Sequence, residues 1–402
     1  MNIRLAYLCG EYPRATDTFI QREVAALRLA DLHVETISVR RPATLEQGSE
    51  EQRQERENTH YLLPCSLWLL LAAHFHLLCS TPGRYLQAVR LALTVRAPGI
   101  RCLMYQLFYF AEAGLVARRM HERGLTHIHN HAPDASGYVT MLAARLGGLT
   151  YSLTLHGFGI LSEPSRWRLR EKIEGSLFTI CVSQHARSQA MLWSNRAHWT
   201  KLHVVHCGIM PTAEPLPIHD GRGKRVLFIG RFDHVKGLPL LLEAFAVIAS
   251  QDKEVHLDLV GDGPERRDLE RLVQKKGLTG RVSFPGYRSQ AELREYFARA
   301  DLFVMTSFAE GIPVVLMEAM AKGVPVVAPR ITGIPELVEH GISGLLTTPG
   351  DVDDLVSGME RLLADADLRA ALAAEARKTV AAKFSLTTET GRLSKIFQIS
   401  LS

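Results

Sequence analysis

The chain has 402 residues, of which 47% are hydrophobic and 22% charged, and a formal net charge of +5. These values fit a soluble globular protein of two domains, or one large one, and exclude a disordered or collagen-like chain. Every apolar tract long enough to span a membrane is interrupted by a charge, a histidine cluster or a proline, and the N-terminus lacks the order of a signal peptide, so a cytoplasmic protein is expected.

Residues 2–8 read as a short apolar strand turning at Gly10. Residues 19–29 follow as a helix with Phe19, Ile20, Val24 and Leu27 on one face, and residues 34–39 as a second strand. Strand, helix, strand at this spacing is a βαβ unit and hence a parallel sheet. Residues 45–58 are polar, a loop or an exposed helix. From 62 to 123 the pattern is that of two or three helices, broken at Pro82-Gly83 and Pro98-Gly99. Strands are expected at 126–131, 151–155 and 177–182, with helices at 136–146 and 165–175.

Residues 211–223 hold three prolines and two glycines and form the expected linker. Beyond it, strands at 225–229, 256–260, 282–284, 302–306, 324–328 and 344–346 alternate with helices at 238–249, 265–276, 290–299, 313–321, 353–364 and 368–383. That alternation is a doubly wound α/β domain. The expected domains are 1–215 and 216–383, with 384–402 packing back towards the first. Two such domains in tandem place a cleft between the C-terminal edges of their sheets, where open α/β folds bind ligands.

Charge divides unevenly between the halves. Residues 1–215 carry 23 Lys and Arg against 17 Asp and Glu, and residues 216–402 carry 24 against 25. The basic half either meets an acidic partner, such as a membrane surface or a phosphorylated acceptor, or is a solvated arginine-rich surface. No Lys/Arg run and no recognition motif points to nucleic acid. The six cysteines are scattered without a C-x-x-C, which argues for reduced thiols and against a disulfide framework or a thiolate zinc site.

Two stretches carry chemistry. The strand ending at Gly230 leads into Arg231-Phe-Asp-His-Val-Lys236-Gly237 and then a helix. A loop at a strand's C-terminal edge, beside a helix N-terminus, favours anions; Arg231 can grip phosphate with two N–H groups and Lys236 adds a point charge. The pair suits a diphosphate, or is simply two surface cations. The second stretch is Glu310-Gly-Ile-Pro313-Val-Val-Leu-Met-Glu318. Pro313 fits the first helical position, which leaves Gly311 and Ile312 as a tight approach to the helix start. Glu310 then precedes the helix, and Glu318, a turn and a half in, can accept two hydrogen bonds from a vicinal diol. The bland reading makes Glu310 a helix-start charge and Glu318 a solvated one.

Arg231-x4-Lys236-Gly, Gly261-Asp-Gly, Glu310-Gly-Ile-Pro-x4-Glu318 and Gly333-Ile-Pro-Glu336 resemble, in order and spacing, the retaining nucleotide-sugar glycosyltransferases of family 4. In the first half, Glu11-Tyr-Pro13-x4-Thr18-Phe-Ile-x2-Glu23-x3-Leu27, His129-Asn-His131, Thr154-Leu-His156-Gly and Cys181-Val-Ser183 are similar to the branch that builds bacterial exopolysaccharides, colanic-acid type enzymes included. The resemblance implies a GT-B fold, two Rossmann-like domains facing each other across a cleft, with acceptor binding in the first and nucleotide-sugar binding in the second. It implies that Arg231 and Lys236 bind the donor diphosphate beside Gly230, and that Glu318 binds the ribose. Glu310 would bind the transferred sugar with the N–H groups of Gly311, Ile312 and Val314 around Pro313. His156 would reach the donor sugar across the cleft, Gly10 would let the first loop approach it, and the turn at Gly286, Tyr287 and Arg288 would lie near the base. The sequence departs from the family where a glycine pair is reduced to Gly10, and where Phe-Gly instead of an acidic residue follows His156-Gly.

The resemblance further implies transfer with retention, the acceptor attacking from the leaving-group face while a phosphate oxygen takes its proton, so that no protein nucleophile is needed. His127, His129 and His131 alternate on one strand face and mimic a metal site, but no carboxylate or cysteine lies near them in sequence. Asp351-Val-Asp353 is a D-x-D string placed to cap a helix. No metal and no other cofactor is expected. Residues 67–78 suit a membrane surface as well as a core or lid helix. The expected function is sugar transfer from a nucleoside diphosphate sugar to a polyprenyl-diphosphate-linked or growing glycan, in the cytoplasm or on the inner membrane face. The alternatives are a small soluble acceptor and a non-catalytic nucleotide-sugar-binding protein.

Overall fold

A computed structural model describes residues 3–14, 17–42, 50–210 and 223–402. All of the expected linker except Gly223, the expected boundary at 215/216 and residues 45–49 lie outside the described residues. The chain divides into two compact units, Met1–His206 with Glu389–Ser402, and Cys207–Thr388.

The first unit is built on seven strands, β1 (Arg4–Glu11), β2 (His33–Arg40), β3 (His60–Leu63), β4 (His127–His131), β5 (Thr150–Leu155), β6 (Thr179–Cys181) and β7 (Leu202–Val204). They lie in the order β3-β2-β1-β4-β5-β6-β7. The second unit has β8 (Arg225–Ile229), β9 (His256–Val260), β10 (Val282–Gly286), β11 (Leu302–Val304), β12 (Val326–Pro329) and β13 (Leu345–Thr347), in the order β10-β9-β8-β11-β12-β13. Every strand pair is parallel. Strands covered by helices on both faces read as near-continuous apolar runs, as in Val226-Leu-Phe-Ile229, all buried. In both sheets the winding reverses beside the first strand, between β1 and β4 and between β8 and β11. In an open parallel sheet that reversal leaves a crevice at the carboxyl ends of the two strands.

Several elements depart from expectation. Strands β3 and β7 and the helix Gln184–Leu192 were not anticipated. The expected helix at 165–175 is shortened to Leu169–Gly175, because Arg168 adopts a left-handed conformation (φ +50°). The Arg168 guanidinium donates to the carbonyls of Val95 and Arg96 at 3.0 and 2.9 Å, which ties that turn to the preceding helices. Between β3 and β4 stand three helices, Leu67–Ser80, Pro82–Val95 and Ile100–Arg123. They are separated at Thr81 and at 96–99, close to the expected breaks, and Pro82 opens the second of them, since a first-turn proline gives up an N–H that has no helical partner anyway. The last helix, Leu386–Leu401, belongs from Glu389 onward to the first unit, where Leu393 and Phe397 pack with Tyr7 and Phe178.

The centre of the first sheet is unusually polar. His127, His129 and His131 point to one face of β4 and are fully buried. His127 places its ring nitrogens 2.8 Å from Thr150 Oγ1 and 2.7 Å from Ser152 Oγ. His129 repeats the pattern one step on, 2.7 Å from Ser152 Oγ and 2.8 Å from Thr154 Oγ1. The hydroxyls of β5 and the imidazoles of β4 thus form a ladder in which each neutral ring can donate once and accept once. Burial pushes His127 down to about 3, and burial with the neighbouring histidines holds His129 well below the usual range.

An unfolded His127 binds a proton as pH falls below its ordinary value of 6.5, while the folded one stays neutral down to about 3. Its contribution to stability is therefore complete above that ordinary value and is lost progressively on acidification through this window, by at most about 1.4 kcal/mol per pH unit. All four tryptophans, Trp68, Trp167, Trp193 and Trp199, lie in the first unit, so their fluorescence follows its unfolding. Urea titrations between neutral and mildly acidic pH should show falling stability, with a shallower fall in His127→Gln; parallel slopes would mean that the folded ladder takes up protons.

Candidate functional site

In the second unit the functional side chains gather where β8 and β11 end. The loop leaving β8 carries Arg231 and Lys236, and Gly237 ends it at the start of the helix Leu238–Gln251. Two hydrogen bonds staple this loop to the segment leaving β11. Thr306 Oγ1 donates to the Lys236 carbonyl at 2.9 Å, and the Phe308 N–H donates to the Val235 carbonyl at 2.7 Å. So close an approach requires Gly237, whose φ is +61° and whose Cβ, were there one, would lie 2.3 Å from the Thr306 carbonyl oxygen. Gly261 does the same beneath Gly230, with φ +141° and only 1.9 Å from a Cβ to the Gly230 carbonyl oxygen.

The staple brings Lys236 Nζ to 2.6 Å from Glu310 Oε1, so two of the residues singled out in the sequence form an ion pair. Arg231 remains 64% exposed at its side chain, with Nε 3.6 Å from Asp233 Oδ2. Glu318 is buried in the helix Val314–Ala321, which excludes its reading as a solvated charge. Pro313 is not the first helical residue, as expected, but the residue capping that helix. Its ψ of 119° is extended, and its carbonyl accepts from the N–H groups of Leu316 and Met317. Ile312 and Pro313 are buried while Gly311 and Val314 are half-buried beside Glu310. Gly286 closes β10, its carbonyl accepting from the Gly261 N–H at 3.0 Å, and Tyr287 beside it is 39% exposed. Two cations, a carboxylate and a helix N-terminus on one sheet edge can hold a phosphorylated ligand that also bears hydroxyls.

In the first unit, His156 follows β5 and His131 ends β4. His131 Nδ1 lies 2.7 Å from His156 Nε2, and its Nε2 lies 3.1 Å from Glu23 Oε1, which also accepts from the Tyr7 hydroxyl at 2.7 Å. Burial first, and the neighbouring His131 second, hold His156 well below the usual histidine range. Glu23 and His131 stood in the sequence motifs without a role. Nothing in the sequence links them, because 108 residues separate them and only the sheet brings them together. A Cβ on Gly10 would meet Ser136 Cβ at an ordinary 4.0 Å, so the chain's own packing does not demand glycine there.

Two motifs that mimic metal sites resolve differently. Glu23, His129 and His131 have ligand atoms within 4.8 Å of one another. A carboxylate distant in sequence, Glu23, thus lies beside these histidines in space. Both ring nitrogens of His129 and of His131 are nevertheless engaged, by Ser152, Thr154, His156 and Glu23, so the cluster is satisfied as a hydrogen-bond network. Asp351 caps the helix Val352–Ala364, its Oδ1 accepting from the Asp354 N–H at 3.0 Å.

A family model described as Glycosyltransferase Family 4 matches residues 71–212, and one described as Glycosyl transferases group 1 matches residues 217–379. The alpha-D-kanosaminyltransferase of Streptomyces kanamyceticus is 26% identical over 68% of this chain and 76% of its own. The amylovoran biosynthesis glycosyltransferase AmsK of Erwinia amylovora is 35% identical over 40% of this chain, a match that spans only 42% of AmsK. Among solved structures, Anabaena HepE in complex with UDP superposes with a TM-score of 0.73 at 20% identity, over 99% of this chain and 100% of that one. The strand orders, the family matches and this likeness agree, and the chain belongs to the group 1, family 4 glycosyltransferases with the GT-B fold.

Proposed function

We propose that the protein transfers a sugar, with retention, from a nucleoside diphosphate sugar to a lipid-linked or growing glycan at the cytoplasmic face of a membrane, as in exopolysaccharide synthesis. The observation that carries the reading is the meeting of Lys236 and Glu310, 2.6 Å apart, where the winding of the second sheet reverses. On this reading the domains divide the work, acceptor binding in the N-terminal one and donor binding in the C-terminal one. AmsK, by its name a biosynthetic glycosyltransferase, supports a glycan-building role. HepE, which holds UDP, supports a nucleoside diphosphate as the leaving group.

The chemistry follows from where charge develops. The bond between the anomeric carbon and the phosphate oxygen breaks as the acceptor hydroxyl forms a new bond to that carbon from the same face, and the acceptor's proton passes to the departing phosphate. Arg231, Lys236 and the N–H groups at the helix starts stabilise the diphosphate as it gains charge, usually the largest catalytic contribution. Glu310 receives hydroxyls of the transferred sugar, Glu318 those of the ribose, and Gly286 and Tyr287 border the base. Within the first domain Gly10 and His156, at the carboxyl ends of β1 and β5, are that domain's ligand-facing residues. No step calls for a metal ion.

Isothermal titration with UDP, GDP and ADP, with and without EDTA, tests the reading. One nucleotide should bind, indifferent to EDTA. Lys236→Ala should weaken it by about 10- to 100-fold, the equivalent of ~1.5–3 kcal/mol for a hydrogen bond to a charged group. Binding of no nucleotide would overturn the donor site. Glu310→Gln separates the two halves of the pair. It frees Lys236 from its internal carboxylate, so nucleotide affinity should hold or rise while sugar transfer falls by at least about tenfold. A parallel loss of both would deny Glu310 its role towards the sugar.

A further inference from the structure

The first unit turns an unusual surface outward. Of the 23 large apolar side chains exposed among the described residues, 13 lie between residues 67 and 108. The helix Leu67–Ser80 contains no Asp, Glu, Lys or Arg. One stripe, with Ala73 and Leu77, packs into the core, where His74 is fixed by the Ala111 carbonyl and the Tyr85 hydroxyl. The opposite stripe should be polar if it met only water. Instead it presents Trp68 (81% exposed), Leu71 and Phe75 (69%). The next helix, Pro82–Val95, exposes Leu86 and Leu93, and the start of Ile100–Arg123 exposes Ile100, Tyr105 and Phe108.

Charge decides what covers this face. No Asp or Glu occurs between Glu57 and Glu112, while Arg84, Arg90, Arg96 and Arg101 all fall in that interval. Among the described residues none of these four pairs with a carboxylate. A second copy docked about a twofold axis would set arginines against arginines, with no acidic residue in the segment to answer them. An anionic lipid surface answers both features. Its phosphates meet the guanidinium groups, and its acyl boundary accepts the leucines and phenylalanines, with Trp68 and Tyr105 suited to the interface between. No helix among the described residues is long and apolar enough to cross a membrane.

We infer that the outer faces of these three helices form the surface by which the protein lies on an anionic phospholipid bilayer. The inference rests on the lipid-side placement proposed above and names the residues that achieve it. Binding combines insertion of apolar side chains with attraction of the arginines, so it should weaken as salt rises.

The test is sedimentation of the full-length protein with phosphatidylcholine vesicles, with and without phosphatidylglycerol. The protein should sediment with the anionic vesicles and not with the neutral ones. Trp68→Ser with Phe75→Ser, both exposed and outside the donor site, should lower partitioning at least tenfold while leaving nucleotide affinity unchanged. Arg90→Gln with Arg101→Gln should also lower partitioning and flatten its salt dependence. Equal sedimentation of wild type and both variants, or none with anionic vesicles, would overturn the inference. A wild-type dimer that the Trp68 and Phe75 substitutions turn into a monomer would assign the face to a second copy. Loss of nucleotide binding in the wild type would instead strike the proposed function and leave this surface standing.

Discussion

The pairing of Lys236 with Glu310 is the contact around which the second unit's functional edge is arranged. Neither residue is fixed by its own strand, since both lie on loops that leave the sheet. What fixes them is a backbone staple, Thr306 to Lys236 and Phe308 to Val235, and the staple closes only because Gly237 has no Cβ to strike the Thr306 carbonyl. On the proposed reading, a phosphorylated ligand would replace this carboxylate as the partner of Lys236. Preorganisation of this kind lowers the ordering that binding must impose on a long, flexible side chain.

The two units apply one topology to different chemistry. At the reversal of the second sheet the chain places cations and helix starts, which suit anions. At the reversal of the first it places buried imidazoles linked to hydroxyls and to Glu23. Burial alone would make such rings costly, and the ladder through Thr150, Ser152 and Thr154 offsets that cost by giving each nitrogen a partner. The ladder ends at Thr154, and His131, next on the same face of β4, holds His156 by a 2.7 Å contact. A side chain oriented through a second histidine and a carboxylate has one preferred ring orientation.

Much of this could be read from the residues alone, and the exceptions share a cause. Long apolar alternations announced the central strands, and Gly237, Gly261 and the Glu310 to Glu318 run sat at strand ends where a parallel sheet binds ligands. The strands that escaped notice, His60–Leu63 and Leu202–Val204, are edge strands of four and three residues, too short to show a period. Pro313 lies one residue before the helix it is expected to open, because its fixed φ fits both the cap and the first turn and only ψ distinguishes them. The relation of Glu23 to His131 was invisible because it is made by tertiary packing across 108 residues. Lys172 is similar: the sequence presents an ordinary lysine, whereas the fold buries it and spends its N–H groups on the Pro133 and Asp134 carbonyls that follow β4.

The connection between β3 and β4 holds more chain than the sheet requires. A crossover between parallel strands needs about a dozen residues, and the β4 to β5 connection makes do with the helix Ala135–Gly147 and its turns. From Leu63 to His127 the chain instead builds three helices. The last of them, Ile100–Arg123, buries its second half against the sheet with Val116 and Met120 and would complete the crossover alone. The first two helices form an added layer whose inner face has its contacts and whose outer face is apolar, in a segment that carries arginines and no carboxylate. Ordering such a layer costs conformational entropy, and its exposed leucines and Trp68 return nothing in water. The arrangement makes physical sense when the medium on its far side is itself apolar and negatively charged, which ties the surplus chain to a lipid surface more firmly than either the composition or the exposure does by itself.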